Sequence, residues 1–417
     1  MDPQKESLLR WIEEDRGKLI DFLSRFIQMK SPNPPGDTRE AAAHVCRFLD
    51  KHHMPYQIIS PNPEMPNIVA TFEGGSSGYH LVLNGHMDVF PVEEQEAWLY
   101  GPWSGAVMDG KIFGRGACDM KCGTTASIFT FHYLHRLRNH LKGRLTLTAV
   151  SDEETFGPWG ARYLMEHHHP EVLGDCCLNG EPSSPYTIRF GERGLLWLSL
   201  TISTRGAHGA YTHMSQSANK IAAEIIYDLE ALAEIKIQPP ENIQPFLQRN
   251  RELLDQALGS GVNEIIGKLT VNIGTLHGGL KVNMIPNKCT IGVDIRLPMG
   301  TDKGKLMEQI DKILACHPNV TVQEINFTPP LWCEPETSMT GFLRANVKML
   351  KGFEPQLTIS LGGTDARLWR FRNVPAYVYG PSPHTMGACN EYVDIEEFID
   401  VVKVHALSAY DYLTNKS

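Results

Sequence analysis

The chain has 417 residues and a formal net charge of −9. That length exceeds what one hydrophobic core usually supports, so two domains are expected. The acidic balance excludes the basic surface that nonspecific binding to nucleic acid or anionic membrane requires. No apolar run approaches the roughly 18 uninterrupted residues of a membrane-crossing helix, and the N-terminal MDPQKESLLRWIEEDRGK is acidic and amphipathic. Neither nucleic acid nor membrane is expected as a partner, and a cytoplasmic location is expected. Nine cysteines, an odd number that includes the adjacent Cys176 and Cys177, do not resemble a disulfide framework, so reduced thiols are expected. Cys118 and Cys122 have no second pair at zinc-finger spacing and are read as structural.

Apolar residues at helical spacing from Leu8 to Ile27 predict a helix over 5–29 that ends before SPNPPGD. A helix over 38–53 leads to the strands NIVATFEG and HLVLNGHMDV, the second opening with an apolar run of the kind buried on both faces. Helix 120–138, strand RLTLTAVSDEE, helix 157–168 and strand CCLNGEP continue an alternating α/β pattern. From Glu192 the order changes. The strand LLWLSLTIST, a helix over 217–236, the strands LTVNIGTLHGG and KCTIGVDIRLP, a helix over 302–315 and the strand VTVQEINF make a βαββαβ unit. The polar PPENIQPFLQRNRELLDQALGSG reads as an insertion in it. After Pro330 come a helix, the strands QLTISLGG and VPAYVYGP, and a final amphipathic helix over 394–413, which rejoin the first unit.

Acids and histidines gather at or near the predicted strand ends, in NGHMD (84–88), GRGACDMK (114–121), SDEE (151–154), NGEP (179–182) and SPHT (382–385). In open α/β sheets that is where ligands bind. One such segment alone is more simply a solvated loop; the common placement of several is what points to a site. Two imidazoles and three carboxylates suit zinc, and a shared carboxylate would permit two metals. Residues two apart on a strand face one side, so the Asp88 carboxylate is expected to accept from the distal nitrogen of His86. Of Glu153 and Glu154, one can bind metal while the other shuttles protons. The competing reading of SDEE is a helix start, which acids favour.

At this point the chain resembles the di-zinc amidohydrolases that include aminoacylase, acetylornithine deacetylase, succinyl-diaminopimelate desuccinylase and bacterial glutamate carboxypeptidase. The resemblance rests on GHMDV, W..GPWSGAVMDGKIFGRGACDMKCG, SDEE with G..GA, GEPSS, AHGAYTH, GGLKVNMIPNKCTIGVDIRLP and GGTDAR, in the family's order across almost the whole chain. It implies a zinc-peptidase-like α/β fold with a mixed, mostly parallel central sheet: a catalytic domain of 1–191 and 332–417, and an inserted lid or dimerisation domain of 192–331. It implies two zinc ions, with Co²⁺ or Mn²⁺ as substitutes. His86, the bridging Asp119 and Glu181 would hold one, and Asp119, Glu154 and His384 the other. Glu153 falls at the general base, with Asp88 behind His86, and the Asp119–Met120 peptide would be cis.

From the lid the resemblance implies His208 as oxyanion donor, often from the partner of a homodimer. Asn283 and Arg296 would face the substrate. Thr204 and Thr212 depart from the family's usual Gly and Pro, and His213 is the competing histidine; a structural ion pair is the competing role for Arg296. His384 precedes Glu391 by seven residues instead of four, with Gly387 at the usual ligand position, which implies a longer loop. Failing that, the chain would be a one-metal variant or a non-catalytic binding protein. Glu at position 181 accompanies deacylases in the family, so hydrolysis of an N-acyl amino acid is expected, with a dipeptidase or carboxypeptidase as the alternative.

Overall fold

The computed structural model describes residues 2–93, 97–248 and 251–415. The central sheet runs, by strand, Gln57–Ile59, Asn67–Glu73, Lys142–Val150, Ser76–His86, Cys176–Asn179, Ala376–Val378, Thr187–Glu192 and Leu331–Trp332, with Gln356–Ser360 pairing Thr187–Glu192. Its central pairings are parallel, from Lys142–Val150 through Ser76–His86 and Cys176–Asn179 to Ala376–Val378. Antiparallel pairs lie towards the edges.

The period of two explains why these strands read as unbroken apolar runs. Leu81, Leu83 and Leu178 join the large core on one face, and Val82, Val150 and Cys177 join a smaller core on the other. Helices Lys121–Arg136 and Ile395–Thr414 supply residues to the large core, and Ala161–His167 and Ala366–Arg370 to the smaller one. The last helix is buried over most of its circumference instead of being amphipathic, because the helices Ser338–Lys351 and Pro3–Glu14 pack on its outer side. Each fully buried Leu, Ile or Phe here contributes about 1.5–3 kcal/mol.

Register decides where the polar segments meet. His86 lies opposite Val150, and Asn84 opposite Asn179. The residues just past these positions, Ser151 to Glu154 and Gly180 to Glu181, therefore emerge along the same edge as His86.

A four-stranded antiparallel sheet, in the order Thr270–Gly278, Lys288–Leu297, Gly194–Ser203 and Val320–Thr328, builds a separate core. Leu196, Leu198, Leu200 and Ile202 alternate into it against Ile221 and Ile225 of helix Ala218–Glu230 and Ile310 of helix Lys303–Ala315. This is the βαββαβ order read from the sequence. The polar insertion forms short helices, and Ile243 within it and Ile266 just after it are buried in the large core with Phe190.

The helix expected over 5–29 is two, Pro3–Glu14 and Arg16–Gln28, interrupted at Asp15. The Asp15 carboxylate takes hydrogen bonds from Lys18 Nζ at 2.6 Å and Tyr133 Oη at 3.3 Å, local bonding that competes with helix continuation. The six-residue strand Thr187–Glu192 was not legible because it is buried on both faces and so shows no alternation of burial with exposure, and the small sheet of Ala106–Met108, Lys111–Phe113 and Tyr392–Asp394 was not because three residues carry too little pattern to recognise. Among the described residues no helix is long and apolar enough to cross a membrane.

Burial pushes the pKa of His44, His80 and His405 down to about 4. Their neutral forms are favoured in the folded chain, so this contribution is complete above about pH 6.5 and is lost as pH falls through about 4. His405 is fully buried, with Nε2 2.6 Å from the Tyr379 carbonyl, and its share is expected to reach about 3 kcal/mol. Urea denaturation of wild type and His405→Asn across this window checks it: the wild-type stability curve should fall more steeply with acid, and parallel curves would refute it.

Candidate metal centre

His86 ends its parallel strand with Nδ1 2.9 Å from the backbone carbonyl of Asp88, which turns Nε2 towards the acids. The Asp88 carboxylate lies farther off, at 3.6 Å. This corrects the expected partner: the strand ends at His86, so strand alternation no longer governs residue 88. The buried Asp88 carboxylate instead accepts from Asn33 Nδ2 at 2.9 Å and from the backbone N–H groups of Glu153 and Glu154 at 3.3 and 3.1 Å. It thereby fastens the SDEE turn to the His86 strand. Asp152 completes that turn, accepting from Thr155 Oγ1 at 2.8 Å and Trp159 N at 3.0 Å. Helix starts only at Ala161, so SDEE is not a helix N-terminus.

Asp119 is held by a residue that entered the sequence reading only as a spacing marker. The fully buried Glu391 carboxylate accepts from the backbone N–H groups of Gly116, Cys118 and Asp119 at 3.1, 2.8 and 3.1 Å, and pairs with Arg115 Nη1 at 2.7 Å. The Asp119–Met120 peptide is cis, as the family resemblance implied.

Glu181 is positioned by a row of amides across the sheet. Its backbone N–H donates to Asn179 Oδ1 at 2.8 Å, Asn179 Nδ2 donates to Asn84 Oδ1 at 2.8 Å, and Asn84 Nδ2 donates to Thr148 Oγ1 at 3.1 Å. Glycine at 123 lets the following helix approach this loop, because a Cβ there would lie 2.0 Å from the Gly180 carbonyl oxygen.

These supports bring His86 Nε2 to 3.3 Å from both Asp119 Oδ1 and Glu181 Oε1, and to 4.0 Å from Glu153 Oε2. Among the described residues, His86, Asp119 and Glu181 are the one trio whose ligand atoms all lie within 4.8 Å of one another. Burial works against a charge on His86, but the carboxylates of Glu181 and Asp119 outweigh it and hold its pKa well above the usual value. Burial, reinforced by Asp119, pushes Glu181 up to about 8 and Glu154 well above the carboxylate range. Glu153 is also raised, chiefly by burial. The acids thus lack positive charge.

Three buried atoms, His86 Nε2, Asp119 Oδ1 and Glu154 Oε1, have no hydrogen-bond partner. Native proteins rarely leave such atoms unsatisfied, and one imidazole nitrogen among carboxylate oxygens fits a zinc-type ion. His86, Asp119, Glu181 and Glu154 are the residues that would hold it.

The remaining expected residues are not joined to this cluster. His384 is exposed, on a turn pinned beside Asp119 by the Cys118 thiol donating to the Ser382 carbonyl and by Ser382 Oγ donating to Glu397. Asp119, Glu154 and His384 do not form a second trio within 4.8 Å. His208 and His213 are exposed, and His208 lies in a two-residue strand pairing with Met284–Ile285 beside Asn283, whose carbonyl accepts from Gly209 N at 2.7 Å. Arg296 pairs with Asp294 at 2.9 Å, the structural role weighed against substrate binding.

Other residues at the cluster had gone unassigned. Arg367, within GGTDAR, is buried and donates from Nη1 to Glu153 Oε1 at 3.2 Å. Arg189 is buried and bonds Ser360 Oγ at 2.9 Å. Burial pulls its pKa down to about 10 against the opposing charges of Glu181 and Asp119. A buried cation costs desolvation unless it is paired, which is the one signal the motif's arginine offered.

An α/β fold with a histidine and several acids converging at parallel strand ends is the architecture of a metal-dependent hydrolase. The chain belongs to peptidase family M20/M25/M40, whose model matches residues 82–411, and it is an amidohydrolase-type enzyme. It is 27% identical over 343 residues to the succinyl-diaminopimelate desuccinylase of Psychromonas ingrahamii, covering 79% of this chain and 82% of that protein. In structure it is similar to an M20 family metallo-carboxypeptidase from Sulfolobus solfataricus, with TM-score 0.79, 19% identity and 100% of both chains covered. It is also similar to a di-peptidase from Saccharomyces cerevisiae, with TM-score 0.82, 16% identity and 100% of both chains covered.

Removing one partner of a buried ion pair typically costs about 3–5 kcal/mol, so Arg115→Ala is expected to lower folding stability by that order, seen as a fall in the denaturation midpoint. It should also reduce bound metal when metal is limiting, because Glu391 then loses its hold on the Asp119 loop. Calorimetric melting and metal analysis of the same preparation test this; unchanged values in both would mean that the backbone N–H groups alone suffice.

Proposed function

We propose that the chain is a di-zinc enzyme that hydrolyses the amide bond of an N-acyl amino acid. The observation that carries the reading is the set of three unsatisfied ligand atoms on His86, Asp119 and Glu154, with Glu153 beside them tied to Arg367. Zinc held there would supply Lewis acidity and bring the pKa of water towards neutrality.

The chain's own groups do the rest. Arg367 fixes Glu153 Oε1, which leaves Oε2 on the side of His86 Nε2. Glu153 removes a proton from the attacking water and returns it to the leaving amine. Asp88 keeps the Glu153 backbone in register with the His86 strand.

Acyl-amino-acid hydrolysis is favoured by Glu at position 181 and by the desuccinylase relative. Dipeptide or carboxypeptide hydrolysis is the second reading, suggested by the names of the structural neighbours. In the same proposal, residues 192–331 form the lid through which a homodimer assembles. That lid brings His208, Asn283 and Arg296 to the substrate, and His384 completes the second metal on closure. Co²⁺ or Mn²⁺ would substitute for zinc, and the enzyme would work in the cytoplasm.

Glu153 and Glu154 separate the roles. Glu153→Gln should retain zinc while the rate falls by about 10²–10⁴-fold. Glu154→Ala should lose both zinc and rate. Mass-spectrometric metal analysis and hydrolysis rates, on substrates drawn from a panel of acyl-amino acids and dipeptides, read the two effects. Equal zinc loss in both variants would reverse the assignment, and near-normal turnover by Glu153→Gln would remove Glu153 from the mechanism.

A further inference from the structure

A cavity of about 280 Å³ has Arg367, but not Glu153, in its wall. It is lined by Arg162 and Glu166 of helix Ala161–His167, by Phe371 and Arg372, and by Phe327 of the small sheet's edge strand. Three guanidinium groups thus face one carboxylate, in a chain whose net charge is −9. The imbalance is not relieved locally. Among the described residues no carboxylate lies within 4.0 Å of the Arg162 or Arg372 guanidinium, and the Arg162 side chain makes no hydrogen bond or ion pair. Arg372 makes one hydrogen bond, from Nη1 to the Met165 carbonyl at 3.1 Å. Arg367 itself is 3% exposed, stacks 4.3 Å over the Phe156 ring, and uses Nη1 for both of its hydrogen bonds, to Glu153 and to the Thr364 carbonyl. Its remaining nitrogens make no hydrogen bond within the described chain.

Guanidinium forks that line one cavity, half-buried at Arg162 and exposed at Arg372, match the planar, multiply charged oxygens of phosphate and carboxylate. We infer that this cavity binds a small oxyanion of two or more charges, an inorganic phosphate or a dicarboxylate, and that the bound anion acts on catalysis through Arg367. Arg367 is the shared element: its Nη1 donates to Glu153, and the residue also lines the cavity. An anion bound there draws the guanidinium away from Glu153 and neutralises the charge that steadies it. Turnover falls while the reacting groups stay in place. The binding part of the inference stands whatever the reaction is; the kinetic part rests on the role proposed for Glu153.

The test is isothermal titration of the zinc-loaded protein with sodium phosphate and, separately, sodium succinate, each against sodium chloride at matched ionic strength. Saturable binding with a Kd of about 1 mM or tighter is expected for at least one of the two, and the tighter one identifies the source. Arg162→Gln and Arg162→Gln/Arg372→Gln should weaken it by about tenfold or more, and Glu166→Gln should tighten it, since each changes one charge on the wall. The same anion should lower wild-type kcat by at least about fivefold at saturation, an effect lost in the double variant. Circular dichroism confirms that each variant is folded. Arg162→Gln, which removes no hydrogen bond, keeps the test valid if the double variant unfolds. No saturable binding beyond chloride would overturn the site, as would binding that survives Arg162→Gln. Binding without any effect on turnover would overturn the coupling through Arg367 and leave the site and the proposed reaction intact.

Discussion

Too much negative charge in too little water is the condition on which the rest of this structure depends. Asp88, Asp119, Glu153, Glu154 and Glu181 meet at one edge of the sheet with His86, Arg367 and Arg189 as the nearby cations. Among these acids, burial first and neighbouring carboxylates second push Glu154 and Glu181 above the usual carboxylate range, and burial pushes Glu153 the same way; the alternative to protons there is metal. Each structural peculiarity around the site serves to hold these acids together against their repulsion. Glu391 gathers three backbone N–H groups, Asp88 takes two from the SDEE turn, and an amide row runs beneath Glu181.

That arrangement puts stability and function in tension. A carboxylate such as Glu391 is fully buried beside another acid, and only the Arg115 pairing and three N–H donors offset its desolvation. Apolar residues would pack there more stably. They would not hold the loop that presents Asp119, so the ion pair is read as the cost of fixing the proposed ligand Asp119 to within hydrogen-bond tolerance.

The two roles of Arg367 extend the same logic outwards. Its Nη1 pairs with Glu153, and the residue also lines a cavity whose wall carries three arginines and one glutamate. A single buried guanidinium thereby links Glu153 to the wall of that cavity.

Much of this was already in the order of residues. The α/β alternation, the βαββαβ unit after Glu192 and the placement of His86, the SDEE acids and Glu181 past strand ends followed from periodicity, because side-chain alternation and helical spacing are local properties. The motif series carried the family. Local pattern could not supply what depends on registers between distant strands. That Glu391 would reach back to the Asp119 loop, that Arg367 would meet Glu153, and that Asp88 would turn its carboxylate to the SDEE backbone rather than to His86 all required the sheet to be assembled. Nor did the spacing of His384 to Glu391 reveal that the histidine would stand exposed on its turn, outside the trio of His86, Asp119 and Glu181. The sequence alone determined which chemical groups were available and which strand ends carried them. Only the tertiary structure decided which of them share a buried space, because the pairing of charges more than a hundred residues apart is fixed by the packing of the whole sheet.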